Sequence, residues 1–356
     1  MKKAVLVILI ICVCFSAGCG KQADIVQKDT EISKPQNDET DPGEPVSRDL
    51  FAMDTFMTLT AYGENAPQAL DAAEGEILRL DELLSTGKED SEIYQVNQDG
   101  EGTLSEDSAY LYERSLEVNE LTGGAFDPMI YPLMQTWGFT THEYAVPDAE
   151  ELAGLLELVD LSAVSYSGDD HHISFEKKGM AIDFGGIAKG YTSSRVVSLL
   201  KEQGIKHAVI SLGGNVQVLG TKPDGSLWKV AIRDPGNISG FIGVVQVSDK
   251  AVITSGGYER YFEESGNIYH HILDPKTGYP SENGLLSVTI VSEDGTLADG
   301  LSTALYVMGL ESAETLWKGN KDLFDAVFVT DSGKLFITEG LEKEFLTDCY
   351  PVNVIR

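Results

Sequence analysis

Met180-Ala-Ile-Asp-Phe-Gly-Gly-Ile-Ala-Lys-Gly-Tyr191 is the stretch that organises the chain. Its apolar lead-in has the composition of a strand ending at Asp183. The Gly185-Gly186 pair permits a tight turn, and a helix-compatible run follows to Leu200. A carboxylate, small residues and Lys189 therefore meet where a strand turns into a helix. Free N–H groups at a helix start, together with Lys189, suit an anionic ligand such as a diphosphate, and glycine lets that ligand approach the backbone. The same residues can equally be a tight turn and nothing more, since they match neither G-x-G-x-x-G nor G-x-x-x-x-G-K-[ST].

Upstream, Leu50 to Tyr62 has the β-rich composition of a strand with Met53-Asp54-Thr55 at its beginning. Gln68 to Leu84 and Ser105 to Thr122 show helical spacing of apolar residues. The second helix ends in Thr122-Gly-Gly-Ala-Phe-Asp-Pro128, where Pro128 biases Asp127 away from the helical region. Tyr131 and Trp137 follow, as an aromatic wall for a planar ligand or as core. A short helix over Asp148 to Leu158 and a strand over His172 to Phe175 lead back to Met180. Downstream, strands are expected from His207 to Leu212, which runs into Gly213-Gly214-Asn215, and over Val216 to Leu219, Trp228 to Ile232, Phe241 to Val247 and Ala251 to Thr254. A strand over Leu286 to Val291, a helix over Thr296 to Met308, another helix and two more strands complete the chain. Strands and helices without regular βαβ alternation predict an α+β fold, mixed sheets flanked by helices, not a doubly wound sheet.

Three further groups carry chemistry. Asp299, Ser302 and Thr303 lie at i, i+3 and i+4, so a helix presents all three oxygen-bearing side chains on one face. Mg²⁺ takes such ligands, with substrate phosphates completing its shell. The competing reading is that Thr296 caps the helix and Asp299 favours its dipole. His270 and His271 precede Ile-Leu-Asp-Pro; adjacent side chains on a strand point to opposite faces, so at most one serves a site as general base.

At the N-terminus, Lys2 and Lys3 precede the apolar run Ala4 to Phe15 and then Ser16-Ala17-Gly18-Cys19. Residues 1–18 read as a secretory signal, too short for a comfortable membrane span. Ala17-Gly18-Cys19 resembles the lipobox of bacterial lipoproteins, which implies lipidation of Cys19, although Ser16 stands where that motif usually has Leu. The alternative is an ordinary signal peptide cleaved nearby. Residues 19–48 are polar and lack aromatics, the composition of a solvated tether, and the domain is expected over 49–356. Cys349 is then the one remaining thiol, so core packing must supply stability without disulfides. The net charge of −31 excludes nucleic acid as a partner and leaves membrane attachment to the lipid.

Met53-Asp54-Thr55, Ala125-Phe126-Asp127-Pro128, Asp183-Phe-Gly-Gly-Ile-Ala-Lys-Gly190, Ser255-Gly256 with Tyr258 and Arg260, His271-Ile-Leu-Asp-Pro-Lys-Thr-Gly278 and Ala298-Asp-Gly-Leu-Ser-Thr-Ala304 occur in the order found in the ApbE family. That resemblance, from about Met53 to Gly309, implies a single ApbE-like catalytic domain and the activity of an FAD:protein FMN transferase. It implies Mg²⁺ held by Asp299, Thr303 and the carbonyl of Ala188, with Ser302 at a position where some members have Asp. It also implies an FAD site lined by Met53, Gly87, Ala125, Phe126, Asp127, Gly185, Tyr191 and Leu273, and His271 as the base; Lys189 is added on physical grounds as a phosphate contact. The implied acceptors are subunits of ion-pumping quinone or ferredoxin reductases and related extracytoplasmic flavoproteins, served by an enzyme lipid-anchored to the outer face of a membrane. The rivals are a Mg²⁺-dependent FAD diphosphatase and a flavin-binding lipoprotein without catalysis.

Overall fold

The structure is a computed structural model that describes residues 43–356; the signal, Cys19 and most of the tether lie outside the described residues. From the N-terminal side the elements are β1 (Val46–Ala52), β2 (Thr55–Tyr62), α1 (Ala66–Leu83), α2 (Glu92–Asp99), β3 (Glu101–Thr103) and α3 (Glu106–Thr122). Next come α4 (Tyr131–Thr136), α5 (Ala149–Leu156), β4 (Val164–Ser167), β5 (His172–Phe175) and α6 (Ala188–Glu202). The middle of the chain is sheet, with β6 (His207–Leu212), β7 (Asn215–Leu219), β8 (Trp228–Asp234), β9 (Asn237–Val247), β10 (Ala251–Gly256), β11 (Tyr261–Glu264), β12 (Asn267–His270) and β13 (Leu285–Ser292). The last elements are α7 (Gly295–Gly319), β14 (Asp325–Thr330), β15 (Leu335–Thr338), β16 (Phe345–Leu346) and β17 (Val352–Ile355).

A nine-stranded sheet in the order β1-β2-β6-β7-β10-β13-β14-β15-β17 carries the fold, antiparallel throughout except for the parallel pair β15–β17. The alternation of side chains across each strand sorts its residues between two layers. Met57, Leu59 and Ala61 of β2 and Ala208, Ile210 and Leu212 of β6 pack on α1 and α6. Ile253, Val288 and Ile290 pack on α7, whereas Val252 and Val291 face the opposite way, onto the small sheet β16-β9-β8. The central strands are thus covered on both faces, which explains why β13 is buried along nearly its whole length, Ser287, Thr289 and Ser292 included. The α+β expectation holds.

Two local readings change. The single strand expected over Leu50 to Tyr62 is a hairpin whose two-residue turn is Met53-Asp54, with φ of 48° and 56°. Such a turn usually advertises itself by Asn-Gly or Asp-Gly, and here a β-rich run continues through it. Because Val46 to Arg48 pair with Leu59 to Ala61, the domain starts ahead of residue 49. The lead-in Met180 to Asp183 belongs to no sheet; instead the Asn97 side-chain amide takes both the N–H and the C=O of Ile182, at 2.7 and 2.8 Å, as a neighbouring strand would. Gly309, at φ 75°, breaks α7 just after Met308, where the sequence places the end of one helix and the start of another.

Helix α6 crosses α7 at Gly190. A Cβ there would stand 2.1 Å from the carbonyl oxygen of Gly295 and 2.6 Å from Cβ of Asp299. Gly190→Ala is therefore expected to lower stability by about 1–3 kcal/mol through overpacking. Gly75→Ala, on α1 where nothing lies within 4 Å of the new Cβ, should raise it by roughly 0.5–1 kcal/mol. Urea denaturation of both variants checks the opposite signs.

Candidate active site

The turn Phe184 to Ile187 delivers the chain into the first turn of α6. Asp183 is held by its own N–H on the carbonyl of Pro128 and accepts from the N–H of Gly185 at 2.7 Å. Across from it, the first turns of α7 enter from Asp294, whose carboxylate accepts from the N–H of Leu297 and caps the helix. The cap is thus Asp294 and not Thr296. Asp299 is 4% exposed and accepts from the N–H of Gly190 at 2.7 Å.

Hydroxyls extend this point of contact. Ser302 donates to the carbonyl of Asp299, and Ser255 Oγ lies 2.7 Å from Ser302 Oγ and 3.3 Å from Thr303 Oγ1. Gly186 sits between the Phe126 ring and the Thr303 hydroxyl, since a Cβ on it would be 3.0 Å from the one and 3.7 Å from the other. Burial pushes Asp299 above the usual carboxylate range, opposed by Lys189, by the Gly190 N–H and by Asn215. No salt bridge reaches Asp299 among the described residues.

A buried carboxylate without a cationic partner, one turn of α7 from Thr303 and bonded to α6 two residues beyond Ala188, has the donor chemistry that suits a hard divalent cation. The Ala188 carbonyl accepts from Thr192 Oγ1 at 2.8 Å as well as from the Thr192 N–H in the ladder of α6. No cluster of three or more His, Cys, Asp or Glu suited to a metal occurs among the described residues. A cation here would therefore depend on water and an anionic ligand for the rest of its shell. Ser302, fully buried, spends its hydroxyl on Asp299 and Ser255.

The two histidines separate cleanly. His270 has both ring nitrogens engaged: Nε2 lies 3.2 Å from the carbonyl of Ser281, and Nδ1 accepts from the N–H of Ile272. His271 is bonded on one side only, with Nδ1 3.2 Å from the carbonyl of Arg260. A carbonyl only accepts, so Nδ1 carries the proton and Nε2 keeps a bare lone pair. Burial pushes His271 down to about 3, with the Arg260 guanidinium, Lys189 and His270 adding repulsion against the Arg260 carbonyl. It is neutral at every ordinary pH.

Lys189 connects these groups. Its charge acts on Asp183, Glu259, His271 and Asp299, and its Nζ lies 3.5 Å from the carbonyl of Gly185. Glu259 is open on one side yet ringed by protein, and desolvation pushes it up to about 7 against Lys189, Arg233 and Arg260. Nothing in the sequence singles out Glu259, and it assigns no role to Ser255, which stands in a motif, or to Asn215, which ends a strand. Asn215 is buried beside Asp299 and its Nδ2 has no hydrogen-bond partner. The signal for it was Gly213-Gly214, a second glycine pair at a strand end.

Other expected residues are sewn to the same place. Asp81 accepts from the N–H of Met53 with one oxygen and pairs with Lys88 through the other, which sets Met53 beside the loop of Gly87. Tyr131 donates to the carbonyl of Thr86 in that loop. Ala125 and Phe126 are buried, and Asp127, pushed up to about 6 chiefly by burial, accepts from Met129.

Trp137 is core: it is fully buried, and its Nε1 donates to the carbonyl of Gly278. Leu273 packs with it. Tyr191 donates to Asp107 and packs on Tyr110, in a cleft of about 720 Å³ that shares no lining residue with the surroundings of Asp299. Tyr191 thus has partners on α3, while Leu273 lies in the cluster that contains Phe139, the ring neighbour of His271.

Known proteins resemble this chain over most of its length. The family model described as ApbE family matches residues 53–328. The FAD:protein FMN transferase of Klebsiella pneumoniae is 33% identical over 273 residues, 76% of this chain and 84% of the relative. That of Treponema pallidum is 33% identical over 316 residues, 83% and 87% of the two chains. Among solved structures, the ApbE protein of Thermotoga maritima superposes with a TM-score of 0.79 at 31% identity, over 85% of this chain and 99% of that one. The flavin transferase ApbE of Vibrio cholerae gives 0.75 at 26% identity, over 86% and 100%.

Because the folded protein holds His271 less basic than the unfolded chain, this residue opposes folding increasingly as pH falls from 6.5 towards 3 and is without effect above 6.5. Nitrogen NMR of the imidazoles should find His271 in the Nδ1–H form from pH 8 to pH 5. A titration near 6.5 would show that its environment is wetter than described.

Proposed function

The chain belongs to the ApbE family, and from that premise we propose that it is an FAD:protein FMN transferase, moving the FMN moiety of FAD onto a Thr or Ser hydroxyl of an acceptor protein and releasing AMP. The observation that carries the reading is a neutral imidazole with one free nitrogen that shares the field of Lys189 with the buried, unpaired carboxylate of Asp299. Asp299, Thr303 and the Ala188 carbonyl are the groups that would hold Mg²⁺, which when bound supplies positive charge to the diphosphate. Ser302 keeps Ser255 and the Asp299 carbonyl in place beside them.

Lys189 draws the diphosphate towards the start of α6. His271 Nε2 takes the proton of the acceptor hydroxyl as its oxygen attacks the FMN-side phosphorus. The bond from that phosphorus to the bridging oxygen breaks, and AMP leaves with that oxygen and its electron pair. An imidazole of pKa about 3 is a weak base, and the negative charge of a diphosphate beside it raises its proton affinity in the complex. The Arg260 carbonyl fixes the tautomer, so the ring needs no reorientation before it accepts the proton.

Export and lipid anchoring through Cys19 are proposed from residues 1–19, with extracytoplasmic flavoproteins or subunits of membrane redox complexes as acceptors. Among the described residues no helix is long and apolar enough to cross a membrane, so attachment on this reading depends on the lipid. Cys19→Ala should move the mature protein from the membrane fraction to the soluble one; equal recovery of both forms from membranes would refute the anchor.

Single-turnover labelling of an acceptor domain with FAD and Mg²⁺, read as a fluorescent protein band, tests the chemistry. His271→Asn should keep FAD affinity and lose roughly 10²–10⁴-fold in rate, the usual worth of a positioned base. Asp299→Ala should fold, as judged by melting, and lose its response to added Mg²⁺. Wild-type rates in either variant would mean that the residue has been given the wrong role.

A further inference from the structure

Resting on the reading that the acceptor is a polypeptide, we infer that the free edge of β12 receives the acceptor chain as an added strand, with the residue that carries the reacting hydroxyl lying beside His271. Strands β11 and β12 form a sheet by themselves. The N–H of His271 donates to the carbonyl of Arg260 at 3.1 Å, which makes Arg260 and His271 a hydrogen-bonded pair. In an antiparallel ladder such pairs alternate with unbonded ones. With the register Tyr261↔His270, Phe262↔Tyr269 and Glu263↔Ile268, the main chains of Tyr261, Glu263, Ile268 and His270 therefore point outwards from the two edges. Unpaired strand N–H and C=O groups are complementary to one thing, another extended backbone.

The hairpin is firmly seated. Its turn, Ser265-Gly266, has φ of 53° and 82°. Phe262 and Tyr269 pack on Trp137, and Phe262 stacks on Tyr144. The opposite face leaves Ile268 60% exposed.

The two edges differ in how they are guarded. Charged side chains are the usual protection of a free edge, and β11 carries Glu263 and Glu264, whereas Asn267-Ile-Tyr-His270 has no charge and no proline. β12 also leads straight into His271. At about 3.3 Å per residue, a strand in register with Ile268 passes His271 some three residues, or roughly 10 Å, further on. Ile268 then offers an apolar contact to the acceptor, and main-chain hydrogen bonds set its register against the base.

The probe is an acceptor domain that the Vibrio cholerae flavin transferase labels. Proline at an outward-facing edge position removes one free donor and leaves the hairpin's own ladder intact. Ile268→Pro should lower kcat/KM for the acceptor at least tenfold, mainly through KM, with FAD affinity by flavin fluorescence within twofold of wild type. Glu263→Pro, on the other edge, should transfer at close to the wild-type rate. Hydrogen exchange on the wild-type protein with FAD and the acceptor should show at least tenfold slower exchange at the Ile268 amide and no change at Tyr261 or Glu263. A wild-type rate for Ile268→Pro, equal losses on both edges, unaltered exchange at Ile268, or a β12-paired dimer of the enzyme itself in sedimentation would each overturn the inference. Failure of the wild-type protein to label any acceptor would instead remove the transferase reading on which it rests.

Discussion

The hydrogen bond from the Gly190 N–H to the Asp299 carboxylate, 2.7 Å long and buried, is the constraint on which the arrangement of the site depends. It forms only because two helices touch backbone to backbone. Gly190 has no Cβ to hold the Gly295 carbonyl away, and a Cβ on Gly295 would strike the side chains of Gln217 and Ser194. Gly300, one residue beyond Asp299, similarly leaves room for Val118 of α3 and for Ile187. Three helices close through three glycines, and the oxygens of Asp299 and Thr303 are left against the turn and first turn of α6, while Ser302 faces Ser255.

That closeness has an electrostatic consequence. Asp299 loses its hydration and receives one backbone N–H, while Lys189 acts from a distance that leaves it outside ion-pair contact. A carboxylate so placed is under-compensated, since a buried charge normally requires a partner as well as hydrogen bonds. Asp183 and Glu259 are raised by burial in the same way. Arg260 acts beside Lys189 on Asp183 and Glu259, whereas Lys189 is the cation that acts on Asp299, so the charge balance of Asp299 improves when a second cation enters, and the diphosphate then follows it.

Much of this could be read from the residues. Helices α1 and α3 follow from apolar spacing, Ser105 accepts from Ser108 as an N-cap should, and Gly123 ends α3 in a left-handed conformation at φ 61°. That His270 and His271 have different surroundings was legible in outline, because neighbours on a strand diverge. The actual reason, that the Ser281 carbonyl and the Ile272 N–H use up His270, joins segments whose approach no local pattern encodes. The Met53-Asp54 turn was missed because neither residue advertises a positive φ. Asn97 standing in for a strand beside Ile182 was equally invisible, since one side-chain amide replaced a whole ladder. Tyr191 shows what a short motif leaves open: it stands next to Gly190, and one step of about 100° around the helix turns its side chain to Asp107 and Tyr110 of α3.

An anionic substrate and a protein of net charge −31 are reconciled by where the cations are left unpaired. Of the seven arginines, Arg48, Arg79, Arg114, Arg195 and Arg356 are tied up in ion pairs. The remaining two, Arg233 and Arg260, both act on Glu259, beside Lys189. Cations spent on neighbouring carboxylates add little to the field beyond a Debye length, about 8 Å at physiological salt, whereas unpaired ones in a recess keep theirs. The acidic exterior then repels an anion only weakly through screened distances, and the short-range field of Lys189 and Arg260 decides where it comes to rest. Burial holds His271 unprotonated and that field adds to it, so an anion drawn in by the field also raises the basicity of the base.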